Sequence, residues 1–215
     1  MKNAPFSAPA ERNQQPILEI LQAWLPTAGQ MLEIGSGTGQ HAAFFGQALS
    51  RAPWRWRWQP SERPAELSGL NAGLAHYRPD GGPAPIALDV SGAWPEGPFD
   101  AAFSANTAHI MHWREVVAML SGVARCLRGD GLFILYGPFK RAGRHHAGSN
   151  AEFDASLQAR DPGMGIRDLN DLEREAESLG LERIAELCMP ANNHILVFCK
   201  KAAREQTRPL QTGQS

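Results

Sequence analysis

The chain has no surplus of charge of either sign: 21 Lys and Arg stand against 22 Asp and Glu, a formal net charge of -1. Without a basic excess, binding of nucleic acid by release of counterions from its phosphates is not expected. Nor is there an uninterrupted apolar run approaching the ~18 to 20 residues that a membrane span requires. The start, Met1-Lys2-Asn3-Ala4-Pro5, lacks the apolar centre of a secretory signal. A cytoplasmic protein with no membrane partner is the expectation. Cysteine is scarce: Cys126, Cys188 and Cys199 are odd in number, widely spaced and set in apolar segments. They are expected to be small buried hydrophobes in a reducing compartment, with no disulfide or zinc framework. No unit repeats at 20 to 50 residues, which excludes a solenoid.

What is present is an ordinary globular composition, 43% hydrophobic and 20% charged, in 215 residues. At roughly 150 residues per domain this predicts a single domain over 1–200. A polar tail at 201–215 is expected to be disordered. From residue 14 the apolar positions Ile17, Leu18, Ile20, Leu21, Trp24 and Leu25 share one helical face. They predict an N-terminal cap helix at about 13–25, with Asn13 as its N-cap and Pro16 in its first turn.

Strand and helix signals then alternate. Strands are predicted at 31–34, 54–59, 84–88, 99–105 and 131–136, and helices at 41–49, 65–76 and 113–127, the pattern of a parallel sheet covered on both faces. Residues 138–150 break the rhythm with a basic, glycine-containing loop, the expected mobile cover in a lid-like insertion over about 138–168. Helices at 151–158 and 169–179, the second capped by Asp168, precede strands at 181–189 and 194–199. The four-residue link between those strands makes them an antiparallel hairpin.

The decisive stretch is Leu32-Glu33-Ile34-Gly35-Ser36-Gly37-Thr38-Gly39-Gln40-His41. Alternate glycines after a strand let the backbone turn sharply and approach a ligand more closely than any Cβ allows. Glu33 is expected at the mouth of this loop, where it suits a cationic ligand and repels a pyrophosphate. Gly37-x-Gly39-x-x-Ala42 nevertheless satisfies the looser dinucleotide fingerprint, so a nicotinamide-dependent oxidoreductase stays open.

Two further acids follow at successive strand ends. Glu62 closes Trp58-Gln59-Pro60-Ser61-Glu62, and Asp89 stands in Ala87-Leu88-Asp89-Val90. The carboxyl ends of strands are where open α/β sheets bind ligands. Paired ribose hydroxyls need a bidentate acceptor, and an adenine amino group needs an acceptor beside an apolar shelf.

The order Glu-x-Gly-x-Gly-x-Gly, Glu62, Asp89-Val90, then Phe99-Asp100-Ala101-Ala102-Phe103-Ser104-Ala105-Asn106 resembles the S-adenosyl-L-methionine-binding half of class I methyltransferases, over about 14–200. More narrowly, Glu11-Arg12-Asn13, the Gln-Pro-Ser-acid run, His109-Ile110 and Met189-Pro190-Ala191-Asn192-Asn193 resemble a small methyltransferase-like family known by a domain of unknown function. The resemblance implies a doubly wound, Rossmann-like α/β fold, with a seven-stranded, mostly parallel sheet ending in an antiparallel hairpin. It implies a donor site in which Glu33, Gly35, Ser36, Gly37, Thr38 and Gly39 surround the methionine moiety. Glu62 would serve the ribose, Asp89 and Val90 the adenine, and Asn106 the methyl-donor face. Glu62 stands where that family often has Asp, and its longer arm should still reach.

A sulfonium methyl group is already activated, so alignment and exclusion of water are the main requirements. A general base helps only an acceptor that is protonated at neutral pH. His109, just after the fourth strand, is the candidate catalytic base, with a packed or surface histidine the equal alternative. Arg12, Asn13, Tyr136, Asn192 and Asn193 are candidates for the side facing a small-molecule acceptor. Turn chemistry alone would also favour Asn at 192 and 193.

His109-x-x-His112 and His145-His146 lack a matching carboxylate or cysteine, so no metal is expected. Trp54-Arg55-Trp56-Arg57-Trp58 alternates aromatic and basic residues as a nucleic-acid platform does, but a strand with indoles inward and Arg stems on its other face, under helices, explains it better. The expectation is therefore a small-molecule methyltransferase, with a non-catalytic S-adenosyl-L-methionine-binding protein as the alternative and an NAD(P)-dependent oxidoreductase as the weaker one.

Overall fold

Ser7 opens the first helix, α1 (Ala8–Trp24), by accepting the Ala10 amide on its side chain, with a proline in the first turn. The helix therefore starts before the expected position, and Asn13 lies buried inside it rather than capping it. Pro16 falls mid-helix, costing the bond to the Arg12 carbonyl. Ile17, Leu18 and Leu21 of its buried face hold the helix against the core. The computed structural model describes residues 5–78 and 81–202; the tail expected to be disordered falls, from residue 203, outside the described residues.

The elements then follow as β1 (Ala28–Ile34), α2 (Gln40–Leu49), β2 (Arg55–Glu62), α3 (Leu67–Tyr77), β3 (Ile86–Ala87), β4 (Phe99–Ala105), α4 (Trp113–Cys126) and β5 (Leu127–Gly137). After β6 (Phe139–Arg141), β7 (Arg144–His145), α5 (Gly148–Arg160), β8 (Arg167–Asp168) and α6 (Leu169–Ser178), the chain closes on β9 (Leu181–Met189) and β10 (Asn193–Lys200). The main sheet has seven strands in the order β3-β2-β1-β4-β5-β10-β9. All pairs are parallel except those made by β10, which runs antiparallel to both β5 and β9. The order runs outward from β1 in both directions, so the β1/β4 boundary is a switch point, where doubly wound sheets open a crevice.

Successive residues point to opposite faces of the sheet. Met31, Trp58, Phe103 and Ile134 meet α1, α2 and α3 on one side. Leu32, Ala102, Phe133 and Leu196 meet α4 and α6 on the other. Trp58, Phe45 and Phe103 pack with ring centroids 5.2–5.6 Å apart, close enough for edge and tilted aromatic contacts. Trp56 and Trp58 point inward as the alternation implies, whereas Arg55 and Arg57 are exposed rather than covered by helices.

Two local expectations are corrected. Cys126 is buried, but Cys199, near the end of β10, is only half-buried, and Cys188 is exposed on the edge strand β9, one face of which is incompletely covered. Residues 138–150 are not an open loop: β6 pairs with β7 as a hairpin and with β8 in parallel, forming a second, three-stranded sheet. The buried Asp154 carboxylate draws in Lys140 at 3.5 Å and His145 at 3.2 Å. Among the described residues no helix is long and apolar enough to cross a membrane.

Candidate functional site

The turn after β1 is held open by its own backbone. Gly35, Gly37 and Gly39 have φ of +71°, +55° and +78°, and a Cβ on Gly37 would meet nothing within 4 Å. This is the bare concavity that positive φ without a side chain creates. The loop is fastened beneath by Ser36 and Ser61, each amide paired with the other residue at 2.9 and 3.2 Å. Ser104 ties it to β4 by donating to the Ile34 carbonyl at 2.8 Å.

Glu62 closes the next wall. Its Oε2 accepts the Gly37 amide at 2.9 Å and its Oε1 accepts the Arg63 amide at 2.8 Å. Each carboxylate oxygen keeps a lone pair for a ligand. The Leu88 amide donates to the Glu62 carbonyl at 2.8 Å, which sets the ends of β2 and β3 side by side. Asp89 follows, with Oδ1 accepting the Ser91 amide at 2.9 Å.

These walls enclose a cavity of about 590 Å³, within the usual range for small-molecule sites. Gly35, Gly37, Thr38, Glu62, Asp89, Val90 and Asn106, all expected at the donor site, line it. Asn106 is held at φ +59° at the end of β4, with its amide on the Tyr136 carbonyl at 2.9 Å. Glu62, Glu66, Asp89 and Glu115 outnumber Arg63 and Arg160 around it, so the wall favours a cation.

Other expected residues lie elsewhere. Glu33 is not at the mouth but only 2% exposed, accepting the Trp58 indole N–H at 2.8 Å beneath the loop. Burial pushes its pKa up to about 7 against the pull of the Trp58 hydrogen bond, because a carboxylate without water is penalised. Strand alternation sends residue 33 inward; the sequence motif shows the acid but not its direction. Ser36 and Gly39 shape the loop without lining the cavity.

His109 is also outside the cavity lining. It is buried, with its ring edge-on to Phe153 at 5.2 Å. Burial and then the Arg167 charge lower its pKa to about 4, leaving it neutral. His112 is the N-cap of α4 and meets Asp161 at 2.9 Å.

Of the acceptor-side candidates, Asn13 and Tyr136 come together under α1. Asn13 Oδ1 bonds His41 Nε2 at 2.7 Å. Burial raises the Tyr136 pKa while the Asn13 amide and the Arg12 charge oppose it. Arg12 is exposed, and none of the three lines the cavity. Asn192 is a turn residue and Asn193 opens β10: Asn193 donates through its side chain to the Pro190 and Ala191 carbonyls at 3.2 Å, and the Asn192 carbonyl accepts the Asn150 side chain at 3.1 Å.

Several cavity residues had no signal in the sequence. Pro5 lies on the wall, its carbonyl accepting the Tyr77 hydroxyl at 2.8 Å. The Ser7 amide donates to Gln40 Oε1 at 2.5 Å, next to the bond that Thr38 makes to the same oxygen at 3.0 Å. Ile110, Met111, Arg160 and Met164 complete the far side. Ile34, Arg63, Leu88, Ala105 and Thr107 also line the cavity and adjoin expected site residues in sequence, and Ile110 belongs to the His109-Ile110 motif, so position alone points to them.

A family described as "Protein of unknown function (DUF938)" matches residues 4–200. The chain belongs to the DUF938 family. This DUF938 protein is also similar to solved methyltransferase structures. One is described as the mitomycin 7-O-methyltransferase MmcR, with TM-score 0.75 and 18% identity, covering 90% of this chain and 55% of that one. Another is an O-methyltransferase family protein from Burkholderia thailandensis, with TM-score 0.74 and 14% identity, covering 90% and 58%. A third is CalO1, a methyltransferase in calicheamicin biosynthesis in its SAH-bound form, with TM-score 0.68 and 16% identity, covering 89% and 54%. The DUF938 chain thus spans a little over half the length of these structures. At such identities the likeness establishes the shared Rossmann-like methyltransferase fold.

Proposed function

We propose that this protein binds S-adenosyl-L-methionine and transfers its methyl group to a small-molecule acceptor. The observation that carries this reading is Glu62, held at the cavity by the Gly37 and Arg63 amides with lone pairs to spare, and followed along the same wall by Asp89 and Val90. In this assignment Glu62 accepts from the ribose hydroxyls, Asp89 from the adenine amino group, and Val90 provides the apolar shelf. Gly35, Gly37 and Thr38 receive the methionine moiety, and Asn106 faces the sulfonium. The acidic wall supports a positively charged ligand, and the SAH-bound form of CalO1, on the same fold, supports its identity.

S-adenosyl-L-methionine supplies an electrophilic methyl carbon, so the chain's own task is to align the acceptor and exclude water. No general base is needed for an acceptor that presents a free lone pair. This accords with a neutral His109 set back from the cavity lining. The same setback favours the second reading, a binding protein without turnover. A dinucleotide fits less well, because the Gly37 amide that its pyrophosphate would need is already bonded to a carboxylate.

Thermal unfolding with S-adenosylhomocysteine and, separately, with NAD tests the reading. A ligand at about 100 times its Kd adds roughly 2.7 kcal/mol, or roughly 5–10 °C for a domain of this size. Stabilisation by NAD alone would overturn the proposal. Transfer from labelled S-adenosyl-L-methionine into metabolite extracts separates the enzyme from the binder: tight donor binding with no labelled product favours the binder.

A further inference from the structure

The cavity has a wall that the donor assignment leaves unused. Glu62, Asp89 and the glycine loop come from the β1, β2 and β3 side of the switch point. The opposite side is made by Ile110 and Met111 of the β4–α4 loop and by Arg160 and Met164 at the end of α5 and just beyond it. The two segments are clamped together. Arg167 donates through Nε to the Ala108 carbonyl at 2.9 Å and through Nη2 to the carbonyls of Met111 and, at 2.8 Å, Gly163. The Gly165 amide donates to the His109 carbonyl at 2.9 Å, and Asp161 meets His112 at 2.9 Å. Three independent ties fix the wall before any ligand arrives, which lowers the cost of ordering it on binding.

Its chemistry is uneven in an informative way. Ile110 is 44% exposed, a large apolar side chain left open at the cavity edge. Met111 and Met164 extend that surface, and thioether side chains adapt to varied apolar shapes. Arg160 is exposed beside them and makes no ion pair or side-chain hydrogen bond with another described residue. Glu115 lines the same side, with its Oε2 engaged by the His112 amide at 2.6 Å; Arg160 is the basic group there, and a guanidinium beside apolar side chains fits a carboxylate bidentately.

We infer that this wall is the acceptor-recognition surface, and that the acceptor is a predominantly apolar small molecule carrying a carboxylate that pairs with Arg160. The inference rests on the donor reading, since it assigns the rest of the same cavity. Arg167 acts through the wall as a positioning residue.

The test uses the whole chain saturated with S-adenosylhomocysteine and a series of one- and two-ring aromatic carboxylates, each beside its uncharged amide. Calorimetry is expected to show binding of carboxylates from the series at least tenfold tighter than their amides. Arg160→Ala should remove that preference and Arg160→Lys restore part of it, with the Kd for S-adenosylhomocysteine unchanged in both. The inference is overturned if no carboxylate binds, if amides bind equally well, or if Arg160→Ala weakens S-adenosylhomocysteine, which would place Arg160 on the donor. If the unaltered protein binds no S-adenosylhomocysteine, the donor reading fails first, and the two failures remain distinct.

Discussion

The Gly37 amide and the Glu62 carboxylate are joined at 2.9 Å across residues 25 apart in sequence. The bond lets β2 set the shape of the loop after β1, and it holds the carboxylate at the cavity wall. Hydrogen bonds to a charged group contribute about 1.5–3 kcal/mol, roughly 10- to 100-fold in affinity. Glu62→Gln is expected to weaken S-adenosylhomocysteine by that factor while the protein stays folded. Calorimetry checks it, and an unchanged Kd would remove Glu62 from the donor site.

Close packing of α3 on the loop gives a second expectation. A Cβ on Gly73 would stand 1.9 Å from the Thr38 carbonyl oxygen, and backbone cannot step aside as a side chain can. Gly73→Ala should cost about 3 kcal/mol, at the upper end for overpacking, lowering Tm by roughly 6–12 °C and weakening the donor through displaced Thr38. Gly69→Ala, on the same helix, adds a methyl that meets nothing within 4 Å. It should stabilise by roughly 0.5–1 kcal/mol, the gain of Ala over Gly within a helix.

Buried titratable groups predict opposing pH dependences. Glu33 has its pKa raised to about 7, so the folded state holds a proton that the unfolded chain releases from about pH 4.5 upward. Its contribution is full below that pH and is lost as pH rises through 7. His41 and His109 have pKa values lowered to about 4, in each case chiefly by burial. Their contribution is full above pH 6.5 and is lost as pH falls towards 4. Denaturant titrations from pH 4 to 8 should show Glu33→Gln removing the decline between pH 4.5 and 7, and His41→Gln reducing acid sensitivity. Unaltered slopes would contradict both assignments.

The Tyr77 hydroxyl holds the Pro5 carbonyl, and Pro5 forms part of the cavity wall. Tyr77→Phe removes one hydrogen bond worth about 1 kcal/mol, so stopped-flow displacement should show S-adenosylhomocysteine leaving roughly fivefold faster. An identical dissociation rate would mean that this segment does not retain the ligand.

The sequence displayed the parts of this fold that depend on short-range signals. The strand at 99–105 and the strand at 181–189 stand where their patterns place them, as does the helix capped by Asp168. The glycine loop announced itself through residues that only a turn needs. The start of α1 is not legible in the sequence because Asn13 offers the same capping chemistry as Ser7, and only burial against His41 shows that it is interior. β7 and β8 are two-residue strands and β6 has three residues, too short for a period of two to register. Arg160 and Met164 reach the cavity through Arg167, whose partners lie up to 59 positions away. No local pattern encodes a tie of that length. Glu33 shows the same limit at one residue, since its type was legible and its orientation belonged to Trp58.

β10 lies between β5 and β9 although it is the last of the described strands in chain order. A ribosome making this protein must therefore deliver residues 193–200 before the sheet can close, and until then β5 presents an unpaired edge to its surroundings. Such an edge invites pairing with another nascent copy. Expression yield should thus depend on how quickly this final strand emerges, more than on the glycine loop that was made first.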